Sequence, residues 1–127
     1  MKKRNYLLLK DLCARLPYGV ICQLSNKDSG VLIVEKLELG GLEHFIAGNI
    51  CVKPYLRSMS SMTEEELKEF RACHCVYDLH PDFQPMMCNI ANEQNMFDWL
   101  LAHHFDYRGL IEKGLALEAL KDMYKTE

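Results

Sequence analysis

No stretch of this sequence holds the roughly 20 apolar residues that a membrane-spanning helix needs. Near the start, Tyr6-Leu7-Leu8-Leu9 is halted by Lys10 and Asp11. That run falls short of the roughly 7–15 apolar residues of a signal-peptide core. The chain is therefore read as cytoplasmic with no membrane partner, in a compartment where thiols stay reduced. A strong charge of either sign is also missing, because 15 Lys and Arg face 18 Asp and Glu for a net charge of −3. Nucleic-acid binders draw much of their affinity from phosphate neutralisation and show a basic excess. A nucleic-acid partner is thus not expected, and the one basic cluster, Lys2-Lys3-Arg4, reads as a solvated start. The phosphate-cradling patterns G-x-G-x-x-G and G-x-x-x-x-G-K-[ST] do not occur, nor does the G-x-S-x-G nucleophile elbow. No repeat, and no linker rich in Gly, Pro or Ser, marks a second domain.

What is present suits one domain spanning residues 1–127. Apolar residues make up 49% of the 127, and a chain of this size buries roughly two-thirds of the surface its unfolded form exposes. Leu8, Leu9, Leu12, Cys13 and Leu16 recur at helical spacing, predicting a helix over 5–16 that starts at Asn5 and stops before Pro17. Lys10, Asp11 and Arg15 fall off that stripe. Val20, Cys22 and Leu24 alternate, Asn26-Lys27-Asp28-Ser29-Gly30 is turn chemistry, and Val31–Val34 is β-branched, so a hairpin follows. Gly40-Gly41 reads as a break, and His44–Val52 as a third strand split or bulged at Gly48-Asn49. Lys53–Arg57 is an extended exit. Thr63-Glu64-Glu65-Glu66 has the form of a capping box for a helix that runs to about Val76. Residues 78–89 read as a loop, Asn92 as the cap of a last main helix, and 120–127 as a loose tail. The expected fold is α+β: a small antiparallel sheet of about three strands, packed with an N-terminal helix and two main C-terminal helices. The helix and sheet occupy 5–57 and the helical part 60–119.

Three groups of side chains invite a chemical reading. Cys73-His74-Cys75, followed by His80 and Cys88, gathers residue types that bind zinc. The spacing is poor, however, because ligands usually come in pairs two to four residues apart. Residues i and i+2 of a helix also point about 200° apart. Cys73, Cys75, His80 and Cys88 are therefore candidate zinc ligands for a metal-binding module or enzyme, while His74 falls on the apolar stripe. No cofactor is expected. His103-His104 ends the last helix near Asp106 and suggests acid–base chemistry, though the helix dipole alone accounts for a histidine there. Cys13, Cys22 and Cys51 read as core, and no serine or thiol has the setting of a nucleophile. No catalytic residue is assigned. The third group is Tyr55, Arg57, Tyr107 and Arg108, which lie in an extended segment and a turn. Tyrosine and arginine dominate interface energy, so these four are the expected contacts to a protein partner. Homo-oligomerisation is left open.

Long stretches resemble a known group. Val52–Glu66, Leu9–Val20 and His104–Ala119 are similar to a family of small uncharacterised proteins. That family is frequent in gut Bacteroidetes genomes, their phages and mobile elements. The resemblance spans most of the chain and implies an accessory protein of mobile-element type, with no activity attached. Ser58 replaces the family's usual proline, and Leu120-Lys121-Asp122 replaces a Pro-Glu-Gly turn. The segment from Cys73 to Cys88 matches no part of the pattern. The function expected is a non-enzymatic interaction module, with the zinc reading second and a nucleic-acid-associated regulator third.

Overall fold

The computed structural model describes residues 2–73 and 85–125, the side chains of 85–89 excepted. Helix α1 (Lys3–Arg15) and a short 3-10 turn lead into a hairpin of β1 (Ile21–Asn26) and β2 (Leu32–Lys36). Helix α2 (Leu39–Ala47) connects β2 to β3 (Ile50–Leu56). Helices α3 (Glu64–Ala72) and α4 (Pro85–Ala102) follow, and β4 (Leu117–Glu118) comes last. The sheet runs β2-β1-β3-β4. β1 pairs antiparallel with both neighbours, and β3 pairs parallel with β4. The architecture is α+β, with a mixed sheet of four strands in place of the expected antiparallel three.

Core placement follows the pleat. Cys22 and Leu24 of β1 and Val52 and Leu56 of β3 share one face, where they meet Leu8 and Leu12 of α1. Leu42 and Phe45 of α2, with Leu110, Leu115 and Ala116, complete that cluster. Of the cysteines read as core, Cys22 is buried, but Cys13 and Cys51 are exposed. Desolvation pushes the Cys22 thiol up to about 12, so it packs as a small hydrophobe.

The third strand begins later than the sequence predicts. Ile46, Gly48, Ile50 and Val52 alternate, but Leu42 and Phe45 recur at helical spacing and bury against the core. Gly48 then takes φ 84° and closes α2, its N–H reaching the Phe45 carbonyl while Asn49 N–H reaches His44. Gly41 sits inside this helix rather than at a break. A Cβ there would stand 3.3 Å from Leu37 Cδ1, so glycine permits the close approach. β3 accordingly absorbs Lys53–Leu56. Pro54 is tolerated within it because it faces Cys22 across a pair that exchanges no hydrogen bonds. Helix α1 is preceded by Lys2 rather than capped by Asn5, and Asn92 lies inside α4 rather than at its start. The capping box at Thr63 and Glu66 is present in full. Helix α3 ends at Ala72, and the expected extension to Val76 lies outside the described residues.

Asp11 and Arg15, which lie off the apolar stripe of α1, are nevertheless fully buried. Arg15 Nε donates to Asp11 Oδ2 at 2.7 Å, and its Nη2 donates to the Phe105 carbonyl at 2.6 Å. Arg108 Nε reaches the other oxygen, Asp11 Oδ1, at 3.1 Å. One carboxylate therefore ties α1 to residues 105–108. Replacing it leaves two guanidinium groups without a counter-charge, and breaking such a buried pair costs about 3–5 kcal/mol. Asp11→Asn is expected to lower stability by that amount, read as the shift in urea midpoint at constant slope. A loss below about 1 kcal/mol would show that water or another group compensates.

Candidate functional site

Arg57, expected at a partner interface, is spent inside the chain. Both of its terminal nitrogens bind the Glu66 carboxylate, at 2.6 and 2.7 Å, and its guanidinium lies 4.2 Å from the Phe105 ring centre. The same Glu66 caps α3, so one side chain joins the end of β3 to the start of that helix. This bidentate grip holds the Glu66 carboxyl down at about 2. Tyr107 packs against Phe97, with the Arg108 guanidinium 5.0 Å from its ring centre. Tyr55 is half-buried. The four expected interface residues thus surround one end of the sheet as packing and ion-pair groups. The backbone explains this: Arg57 N–H donates to the His104 carbonyl, and Asp106 N–H donates to the Arg57 carbonyl. That pairing draws residues 104–108 alongside 55–57.

His104 lies at the centre of this end. It ends α4 in the left-handed conformation, φ 63°, with its N–H on Leu101 O and Phe105 N–H on Leu100 O. This is the closing motif usually built on glycine. Histidine stands there because its ring stacks on Tyr124 at 3.6 Å between centres. Tyr124 is therefore held, while 126 and 127 of the expected loose tail lie outside the described residues. The Tyr124 hydroxyl donates to the Tyr55 carbonyl at 2.6 Å and accepts from Ile21 N–H at 2.9 Å. Ile21 and Tyr55 would form the next rung between β1 and β3, and the phenol bridges that rung. Its own ionisation is pushed up, chiefly by burial.

Neither histidine of the pair has the setting of an acid–base catalyst. His103 stacks on Trp99 at 4.0 Å, and its Nδ1 contacts the Trp99 carbonyl. Burial and the nearby Arg15 hold His104 down at about 4. Asp106 is occupied in accepting from Leu110 and Ile111 N–H. Cys73 Sγ donates to the Glu69 carbonyl. Cys75 and His80 lie outside the described residues, as does the side chain of Cys88. Among the described residues no group of three His, Cys, Asp or Glu is placed to hold a metal ion. No helix of the described residues is long and apolar enough to cross a membrane. In the basic start, Arg4 is spent on the Lys113 carbonyl at 2.6 Å.

The surface that stands open is the other end of the sheet. Val31, Leu32, Ile33 and Val34 are 47–59% exposed in succession. All of β2 is exposed on both faces, since among the described residues β1 is its one neighbour in the sheet. Asn26 N–H bonds to Val31 O, and Leu37 N–H to Val20 O. The odd-numbered residues of β2 therefore point their main chain at β1. Those of Leu32, Val34 and Lys36 point outward. The hairpin pattern of the sequence predicts this strand but not its open edge. The signal available was its run of four apolar residues without alternation.

Two predictions follow from the tail and from His104. Tyr124→Phe leaves Ile21 N–H and the Tyr55 carbonyl unbridged and is expected to cost about 1–3 kcal/mol in urea unfolding; an unchanged midpoint would make the bridge dispensable. For His104, the folded pKa near 4 lies below the ordinary 6.5. Its contribution is complete above about pH 6.5 and is lost as pH falls toward 4, because only the unfolded chain takes up the proton. The loss is about 3 kcal/mol. That of Glu66 lies lower, between 4.5 and about 2. His104→Asn, which tolerates the left-handed backbone, is expected to remove most of the stability difference between about pH 7.5 and about pH 4.5. Equal losses in both proteins would exclude His104 as the group responsible. No family model, curated protein or solved structure matches the chain, so the open β2 edge and the closed ionic end are what there is to read function from.

Proposed function

We propose that this chain is a non-enzymatic protein-interaction module that takes an extended segment of a partner along the free edge of β2. The observation that carries the reading is the unprotected run Val31-Leu32-Ile33-Val34, exposed on an edge strand whose Leu32, Val34 and Lys36 main-chain groups face outward. Sheet proteins blunt such edges with lysine, proline, bulges or a covering helix. β2 has its two charges, Glu35 and Lys36, together at one end and no proline. An added strand satisfies the outward N–H and C=O groups, and its alternate side chains cover the apolar ones. An accessory role of this kind agrees with the resemblance to small proteins of phages and mobile elements.

Val34→Pro isolates the edge, since it deletes an outward donor and leaves every bond between β1 and β2 in place. Extended peptides selected from a displayed random library against the full chain should bind at least about 10-fold more weakly to Val34→Pro, the equivalent of about 1.4 kcal/mol. The thermal midpoints of the two proteins should agree. Peptides that bind both proteins equally would place recognition elsewhere.

A further inference from the structure

We infer that the strand taken by β2 is β2 of a second copy, paired antiparallel about a two-fold axis through Ile33. This rests on the edge-binding reading above and names its partner. A two-fold axis normal to the sheet pairs residues of the same parity, so that each face continues across the junction. Centred on Ile33, it sets Leu32 opposite Val34 of the second copy on both sides of the axis. These are the residues whose main chains face outward. Each such pair exchanges both of its N–H···O=C bonds.

Side chains favour the same centre. Ile33 meets Ile33 on one face, and Leu32 meets Val34 on the other. Glu35 falls opposite Val31. Lys36 falls opposite Gly30, next to the turn that carries Asp28. No like charges meet. Moving the axis to Val34 brings the two Glu35 carboxylates onto a diagonal, and moving it to Glu35 sets them face to face, which is destabilising. Moving it to Leu32 sets Val34 opposite Gly30 and gives up an apolar pair.

The assembly also closes. Among the described residues β2 is the one long free edge, because the opposite edge is the two-residue β4. Once two β2 strands have paired, no comparable edge is left among the described residues to continue the sheet.

Sedimentation velocity of the full chain from about 1 to about 200 µM tests the inference, a range that brackets micromolar dissociation constants. The expected result is a shift from monomer to twice the monomer mass, abolished by Val34→Lys. Ile33→Cys tests the register. Ile33 and its mate form a pair without hydrogen bonds, whose Cα atoms approach to about 4.5 Å, within disulfide reach. Mild oxidation should give a covalent dimer of Ile33→Cys several-fold faster than of Val31→Cys or of the wild-type chain with its own cysteines. A dimer that persists in Val34→Lys, or equal cross-linking at 31 and 33, overturns the inference. So does a monomer throughout the range. If that monomer still binds the selected peptides through Val34, the edge-binding reading stands without the second copy; if it binds none, both fall.

Discussion

The carboxylate of Asp11 is the contact on which the remainder of the fold is arranged. It is fully buried and shared between Arg15, also fully buried, and Arg108. Burying an ion costs several kcal/mol unless its hydrogen bonds are supplied inside the protein. Here Arg15 and Arg108 supply them, and the Phe105 carbonyl takes a further donor of Arg15. Helix α1 is thereby locked to residues 105–108 at one rotation. Once it is locked, Leu8 and Leu12 face the sheet and the core closes over Cys22, Leu24 and Val52. Hydrophobic burial supplies the driving force; the ion cluster selects which helix face receives it.

From that anchor the ordering spreads through backbone contacts. Residues 104–106 lie along Arg57, and Arg57 turns its side chain to Glu66, which caps α3. Trp99 stacks on Phe105 and meets Phe70, so α4 and α3 pack over the same segment. His104 accepts a left-handed backbone at a cost of order 1 kcal/mol, and in return its ring covers Tyr124. Tyr124 completes the opened rung between β1 and β3. Every ion pair but one of the described residues, Lys125 with Asp122, belongs to this end of the molecule.

That coupling explains which parts of the fold are legible from sequence. Helix α1, the β1–β2 hairpin and the Thr63 capping box are local: period, turn residues and cap chemistry lie within a few positions of one another. The contacts of Arg15 with Phe105 and of Arg108 with Asp11 join residues 90 or more positions apart. No periodicity carries that information, so an arginine off the apolar stripe gives no sign of its burial. Tyr55, Arg57, Tyr107 and Arg108 read as an interface for the same reason. Their residue types suit recognition, and only tertiary pairing reveals that the arginines are internal counter-ions. Helix α2 was obscured by a conflict of periods. Ile46, Gly48, Ile50 and Val52 alternate like a strand, while Leu42 and Phe45 with a glycine stop at Gly48 form a helix. Burial of Phe45 decided between them.

The open end of the sheet follows from the closed end. Residues 115–125 lie along β3, where Ala119 N–H donates to the Leu56 carbonyl, β4 pairs in parallel with Tyr55 and Leu56, and Tyr124 seals the last rung. This keeps the β3 edge short and covered. The same chain cannot also reach β2, which lies beyond β1. Helix α2 leaves β2 at Leu37 and crosses to β3, so it covers the core face and not the edge. Among the described residues the sheet is thus protected on one side by the segment that ends at Lys125 and left with one hydrogen-bonding edge on the other. With a net charge of only −3, little long-range repulsion opposes two such edges meeting. A four-residue apolar run beside outward main-chain groups is a liability in a monomer. Pairing once, with a short and covered edge opposite, turns it into a bounded contact.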